Sequence, residues 1–324
     1  MSNEPQKTAV EIDTATNTTG VDADVTVLPG VKGEIKFDSK DAAEVFNRAI
    51  DKVCAAIGMI YEPTHRVRMT KADAKVLAIR TEALENLTPQ QENAVQRFLF
   101  TETRKQENLE NILDKAAEQI TADAKPEDVD EDFILDWAER ASKVSDDDMQ
   151  TLWARLLSGE MNSPGSFRKS ALHTVSMLET EDANYFADLS RFAIDVGEPL
   201  PYISESDAEI YIRHNIYFDV LSHLESIGLI YFDSVDGFQL NDWPRSVVIK
   251  YGSMPLSIKM PEGVSSLPVG KARFTRVGKQ LFPLTNAHMI TELPQHFADT
   301  LAKEKISVTG PSIEPSQPAE QNSS

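Results

Sequence analysis

The sequence predicts a mainly α chain with a small α+β part, in which a long N-terminal helical hairpin or bundle precedes a mixed C-terminal unit and both termini are disordered. Three observations predict this. Apolar residues recur at three- and four-residue spacing from Asp41 to about Ala122 and again from Ser145 to Ile194. Short β-rich runs bounded by Gly, Asp and Pro follow Gly228, where helical patterning gives way. The ends lose periodicity altogether, the first 40 residues being rich in Thr, Asp, Val and Gly and the last 18 in Pro, Ser, Gln and Glu. The expected division is an acidic tail over 1–40, a helical domain over 41–196, a mixed domain over 197–306 and a second tail over 307–324.

The first helix spans Asp41 to Tyr61, with Phe46, Ala49, Ile50, Val53, Cys54, Ile57 and Ile60 on one face. Pro63 breaks it, and a basic helix follows, carrying Arg66, Arg68, Lys71, Lys75 and Arg80 against the single acid Asp73. An apolar face beside basic residues suits an anionic bilayer, but packing of that face on the next helix is the simpler expectation. That next helix opens at Thr88, with Pro89 at the first helical position and Gln91 completing a capping box. Its stripe of Val95, Phe98, Leu99, Leu109, Ile112, Leu113, Ala116 and Ile120 extends it to about Ala122. At roughly 33 residues it would be about 50 Å long, a coiled-coil-like arm.

Pro126 and the acidic run after it introduce a helix with Phe133, Ile134, Trp137 and Ala138, the acids complementing the helix dipole. Asp128, Asp130, Asp132 and Glu139 occupy calcium-loop spacings. Phe133 stands where such a loop needs glycine, and this argues against a metal site. Ser145 is expected to cap the next helix, whose first turn is Asp146 to Asp148 and whose core side is Met149, Leu152, Trp153, Leu156 and Leu157. Gly159 to Gly165 reads as a turn, followed by a helix with Leu172, Val175 and Leu178 and a third over Glu181 to Ile194.

Beyond it, Ile216 to Ile227 is a helix ended by Gly228; Leu229 to Phe232 and Phe238 to Leu240 are strands joined at Asp236–Gly237; SVVIKY and LSIKM form a second pair. Ala272 to Phe274 then leads to Thr275, which caps a helix with Val277, Leu281 and Phe282. Helix, hairpin, inserted hairpin, strand and helix together resemble a winged-helix domain.

Charge and composition bound the function. The 324 residues hold 32 Lys plus Arg against 52 Asp plus Glu, a formal charge of −20, so the chain as a whole repels polyanions. One cysteine excludes an internal disulfide and Cys-rich metal sites, and with no signal-peptide pattern at its start the chain is expected to be cytoplasmic. No phosphate loop, dinucleotide fingerprint, His-Glu-x-x-His or Gly-x-Ser-x-Gly pattern occurs, and the six histidines are scattered. No catalytic residue, metal site, cofactor or small-molecule substrate is therefore expected.

At Met149 to Ser166 the residues Met149, Gln150, Leu152, Trp153, Ala154, Leu157, Gly159, Glu160, Pro164, Gly165 and Ser166 form a signature. With IGMIYEP at Ile57 to Pro63, KQENLENI at Lys105 to Ile112, AKPEDVDEDF at Ala124 to Phe133 and HLESIGLIYF at His223 to Phe232, the chain resembles a bacterial domain-of-unknown-function family over about Asp41 to Lys305. That family is distantly similar to abortive-infection, phage-defence proteins. The resemblance implies no catalytic residue, and it suggests a non-enzymatic interaction protein, a phage-defence or mobile-element component working through helical oligomerisation or partner binding.

Two residue sets carry the functional expectation. Gln150, Arg155, Glu160 and Ser166 are the candidate partner surface, because ordered polar loops often carry recognition, with Glu160 and Ser166 also expected to fix the loop after the helix. Arg245, Lys250, Lys259, Lys271, Arg273, Arg276 and Lys279 form a candidate nucleic-acid patch, seven bases against the one acid Glu262 between Pro244 and Leu281. The helix that would read a groove is acidic instead, with Asp219, His223 and Glu225, so protein docking is favoured over DNA.

Overall fold

In the computed structural model the described residues are 40–58 and 87–313, and they form a mainly helical protein with a small β part. The expectations for the basic stretch 66–80, for most of the N-terminal tail and for the end of the C-terminal tail lie outside the described residues. Helix α1 (Lys40–Ile57) buries Val45, Phe46, Ala49, Ile50 and Val53, one stripe at helical spacing. The stripe packs on α3 (Glu131–Ala141) and on a short 3-10 turn at Pro126–Asp128, and not mainly on the long helix as expected. Phe133, Ile134, Trp137 and Ala138 make α3 apolar enough to serve several neighbours.

The long helix α2 (Pro89–Ala117) has the expected capping box: the Thr88 side chain accepts from the Gln91 N–H, and Gln91 Oε1 accepts from the Thr88 N–H at 2.9 Å. It stops at Ala117, five residues short of the expectation, because Gln119 and Ala124 turn the chain back through bonds to Ala116 and Thr121. Among the described residues only its second half is packed. Leu109, Ile112, Leu113 and Ala116 lie against α4 (Asp147–Asn162), the largest helix–helix interface among the described residues.

Helix α4 is capped by Asp146, whose carboxylate accepts from the Met149 N–H at 3.0 Å. Ser145 was the expected cap. Its hydroxyl instead accepts from Arg104 and from Asn108, tying α2 to the turn before α4. Met149, Trp153, Leu156, Leu157 and Met161 bury the α4 stripe, and the helix runs through Gly159 to Asn162, so the turn is confined to the residues around Gly165. Helices α5 (Lys169–Met177) and α6 (Thr180–Ser190) follow.

The expected helix to Ile194 ends at Ser190, since Ala193–Asp195 is strand β1 and pairs with β2 (Pro199–Pro201). After α7 (Glu209–Ile212) and α8 (Phe218–Ser226), Gly228 closes the helix at φ 79°, a left-handed position that glycine fills without strain. The next strands depart from the sequence expectation. Strand β3 (Ile230–Phe232) does not pair with β4 (Phe238–Leu240). Instead β3 pairs with β8 (Ala272–Phe274) and β4 with β7 (Leu267–Gly270), all antiparallel. Between them β5 (Ser246–Tyr251) and β6 (Met254–Lys259) form the expected hairpin, turning at Gly252, φ 57°.

A five-stranded sheet results, in the order β2-β1-β5-β6-β9. Its last strand, β9 (Ser307–Thr309), falls in the stretch expected to be a tail; Val308 pairs with Ile258 and is buried beside α10 (Leu293–Ala302). One face of the hairpin buries Ile249, Tyr251, Leu256 and Ile258, while Val248, Lys250 and Lys259 are exposed. Helix α9 (Arg276–Leu281), capped by Thr275, and a 3-10 turn at Phe282–Thr285 return the chain to α4, α5 and α6. One apolar core therefore joins helices and strands, from Phe46 to Val308.

Candidate functional site

The segment around α4 supplies four of the expected residues, and packing divides them. Gln150 is 3% exposed and Glu160 2% exposed, so neither belongs to a surface. The reason is hydrogen-bond satisfaction. Gln150 Nε2 donates to the Val144 carbonyl at 3.0 Å and lies 3.4 Å from Asn108 Oδ1, while Asn108 Nδ2 donates to the Ser142 carbonyl at 2.8 Å. Glu160 turns back over the end of α4: Oε1 accepts from the Gly165 N–H at 2.6 Å and Oε2 from the Phe167 N–H at 2.9 Å. That carboxylate holds the loop, and the Ser166 hydroxyl adds a bond to the Ser163 carbonyl at 2.6 Å.

Arg155 and Ser166 face a groove between α4 and the C-terminal segment of α9 and its 3-10 turn. Arg155 Nη1 donates to the Leu284 carbonyl at 2.7 Å, and Gln280 Nε2 donates to the Ser166 carbonyl at 3.0 Å, two bonds that cross more than a hundred residues. Between them lies a cavity of about 630 Å³, also lined by Arg276, Lys279 and Asn286. The structure thus brings together residues from both sequence-predicted sets. No Asp or Glu lines the groove. Lys279 reaches outward to Glu198 at 2.6 Å, while Arg276 is exposed and, among the described residues, has no ion-pair partner.

The rest of the expected basic patch is dispersed. Lys271 is paired with Glu205 at 2.7 Å, and Arg273 lies over the Phe238 ring, 5.5 Å from its centroid. Lys250 stands opposite Asp195 across the β1–β5 pairing. Arg245 and Lys259 meet at the other end of the hairpin, where Lys259 is in register with Ser246 and the Met260 N–H donates to the Arg245 carbonyl. Two of the polar groups of α8 are engaged within the fold: His223 Nε2 lies 2.5 Å from Asp182 Oδ1, and Glu225 accepts from the Phe232 N–H at 3.0 Å.

One polar constellation has no counterpart in the sequence expectations. Ser204 Oγ lies 2.9 Å from His296 Nε2 and 3.1 Å from the Tyr211 hydroxyl, which also accepts from the Ser204 N–H at 3.0 Å. Burial, more than any neighbouring charge, lowers the pKa of His296, and it raises that of Tyr211 to about 12. No sequence signal joins residues 92 positions apart with unrelated neighbours. The cluster clasps α7 and α10 to the segment after β2. Among the described residues no group of three His, Cys, Asp or Glu converges as a metal site. Asp130 caps α3, accepting from the Asp132 N–H at 2.9 Å.

The most exposed apolar residues of α2 are on its unpacked half. Phe98 is 63% exposed and Phe100 70%, with Leu99 beside them at 41%. Phe98 and Leu99 lie 14 positions before Ile112 and Leu113, four turns along the same stripe that packs on α4. Among the described residues no helix is long and apolar enough to cross a membrane.

A family model described as "Protein of unknown function (DUF2806)" matches residues 92–298 of the chain. No curated protein and no solved structure matched in the same comparisons.

Proposed function

The chain belongs to the protein-of-unknown-function family DUF2806, whose description assigns no chemistry, and from that premise we propose a non-enzymatic protein that associates with a second copy of itself through the exposed half of α2. The observation carrying this reading is the stripe of Val95, Phe98 and Leu99, which continues the face already buried against α4 and meets no neighbour that covers it among the described residues. Charge favours a like partner. From Pro89 to Glu107 the acids Glu92, Glu102 and Glu107 balance Arg97, Arg104 and Lys105, a neutral stretch in a chain of net charge −20. Two such helices can approach without the repulsion that the remaining surface would impose.

Within this reading the protein is cytoplasmic, a phage-defence or mobile-element component, and the part from α8 to α9 is a winged-helix-like unit carrying the β5–β6 hairpin as an insertion. That unit serves protein docking better than duplex binding, because Lys271 and Lys279 are already neutralised by Glu205 and Glu198. Exposed Arg245 and Lys259 are what favour the alternative of a DNA-binding hairpin.

Sedimentation equilibrium of the full chain tests the first reading. We expect a concentration-dependent dimer that the double substitution Phe98→Glu and Leu99→Glu converts to monomer with an unchanged circular dichroism spectrum. A wild-type monomer throughout the micromolar range overturns self-association. If that monomer also binds duplex DNA with steep salt dependence, lost on reversing Arg245 and Lys259, the hairpin reading replaces it.

A further inference from the structure

We propose that the groove between α4 and α9 is a binding site for a phosphomonoester, a small molecule carrying one terminal phosphate and of about mononucleotide size. Charge identifies the ligand first. Among the described residues, Arg155 and Arg276 reach this groove without a carboxylate partner and no acid lines its walls, in a chain of net charge −20. Two uncompensated guanidinium groups match a dianionic phosphate better than a monoanionic carboxylate, since each planar fork can offer paired N–H donors to phosphate oxygens. Lys279 adds a third cation whose charge Glu198 already answers in part.

Preorganisation supports the assignment. Arg155 is not a loose surface side chain: its Nη1 is anchored on the Leu284 carbonyl, which fixes the guanidinium plane while its other nitrogens stay uncommitted. Ser163 places a further polar group along the α4 side. The wall opposite is fixed as well: Gln280 turns its NH2 toward the Ser166 carbonyl, which can only accept.

Size completes the argument. The cavity of about 630 Å³ far exceeds a phosphate ion and falls within the range of small-molecule sites, and Phe167, Pro283 and Leu284 offer apolar surface to the carbon part of the ligand.

Calorimetric titration of the full chain tests the proposal, with AMP, ribose 5-phosphate and inorganic phosphate as probes and adenosine as the uncharged control. The expected result is saturable, salt-sensitive binding of the phosphomonoesters. It should weaken about tenfold in Arg276→Ala, roughly one charge-assisted contact, and stay unchanged in Lys303→Ala, an exposed control outside the groove. Arg276 has no ion-pair partner among the described residues, so its removal should leave the melting temperature in place. Failure of all three phosphate probes to saturate overturns the proposal, as does equal affinity in wild type and Arg276→Ala. Adenosine binding as well as AMP, or a hexaglutamate peptide binding more tightly than either phosphomonoester, would also overturn it.

Discussion

Glu160 shows how a residue in a recognisable segment can be structural. Its two carboxylate oxygens are each used by one backbone N–H of the following loop, so an amide cannot replace it. In Glu160→Gln one of the two oxygens becomes an NH2 group that faces a donor, leaving one backbone N–H unpaired in the interior. The cost should be about 1–3 kcal/mol, read as a lower urea midpoint at unchanged slope. An unchanged midpoint would mean that the loop holds without the carboxylate. The role of Glu160 as a loop fastener was legible in the sequence, since an acid five residues before a glycine turn can fold back onto it. Its burial was not, nor was that of Gln150, because the partners Asn108 and Val144 come from other elements.

At the scale of elements, the close approach of α9 to β3 decides a glycine. A Cβ on Gly278 would sit 2.1 Å from the Leu229 carbonyl oxygen, closer than any side chain tolerates. Helix propensity alone would make Gly278→Ala stabilising by about 1 kcal/mol. The steric conflict with backbone reverses the sign, and a net loss of about 1–3 kcal/mol is expected in urea unfolding. Loss of amide protection at Thr275, which donates to the same Leu229 carbonyl at 3.0 Å, should accompany it. Greater stability of the alanine variant would show that α9 moves away at little cost. Helices and caps such as Thr88 and Thr275 could be read from local pattern, because a cap bonds within three residues of itself. The pairing of β3 with β8 joins residues 40 to 44 positions apart, and a plausible turn at Asp236–Gly237 pointed instead to the adjacent strand. Asp233 takes that turn's bonds, accepting from the N–H groups of Val235 and Asp236 at 3.0 Å, without bringing β3 and β4 together.

Across the whole molecule, stability should depend on pH through two half-buried imidazoles. Burial is the main cause that lowers the pKa of His214, with Arg191 adding to it, and burial likewise lowers that of His296. A histidine depressed in the folded state binds its proton less readily there than in the unfolded chain. Stability is then fully present above the unfolded value near pH 6.5 and falls as the pH drops through the window beneath it. Urea unfolding between pH 5 and pH 8 should show this decline, and His296→Gln should flatten it; a wild-type profile with no slope below pH 6.5 would contradict the assignment.

The same scale separates what each level of description could reach. Sequence alone determined the mainly helical class, the boundaries set by caps and prolines, the long helix, the β5–β6 hairpin and the lack of familiar catalytic patterns, because each is written in residues a few positions apart. Tertiary structure decided where the remaining strands pair and that Ser307–Thr309 closes a sheet. It also decided that Gln150 and Glu160 are interior while Arg155 and Ser166 meet Arg276 and Lys279 at one groove. Those outcomes depend on contacts between segments up to 129 positions apart, and no local period or spacing encodes which distant surface a side chain will meet.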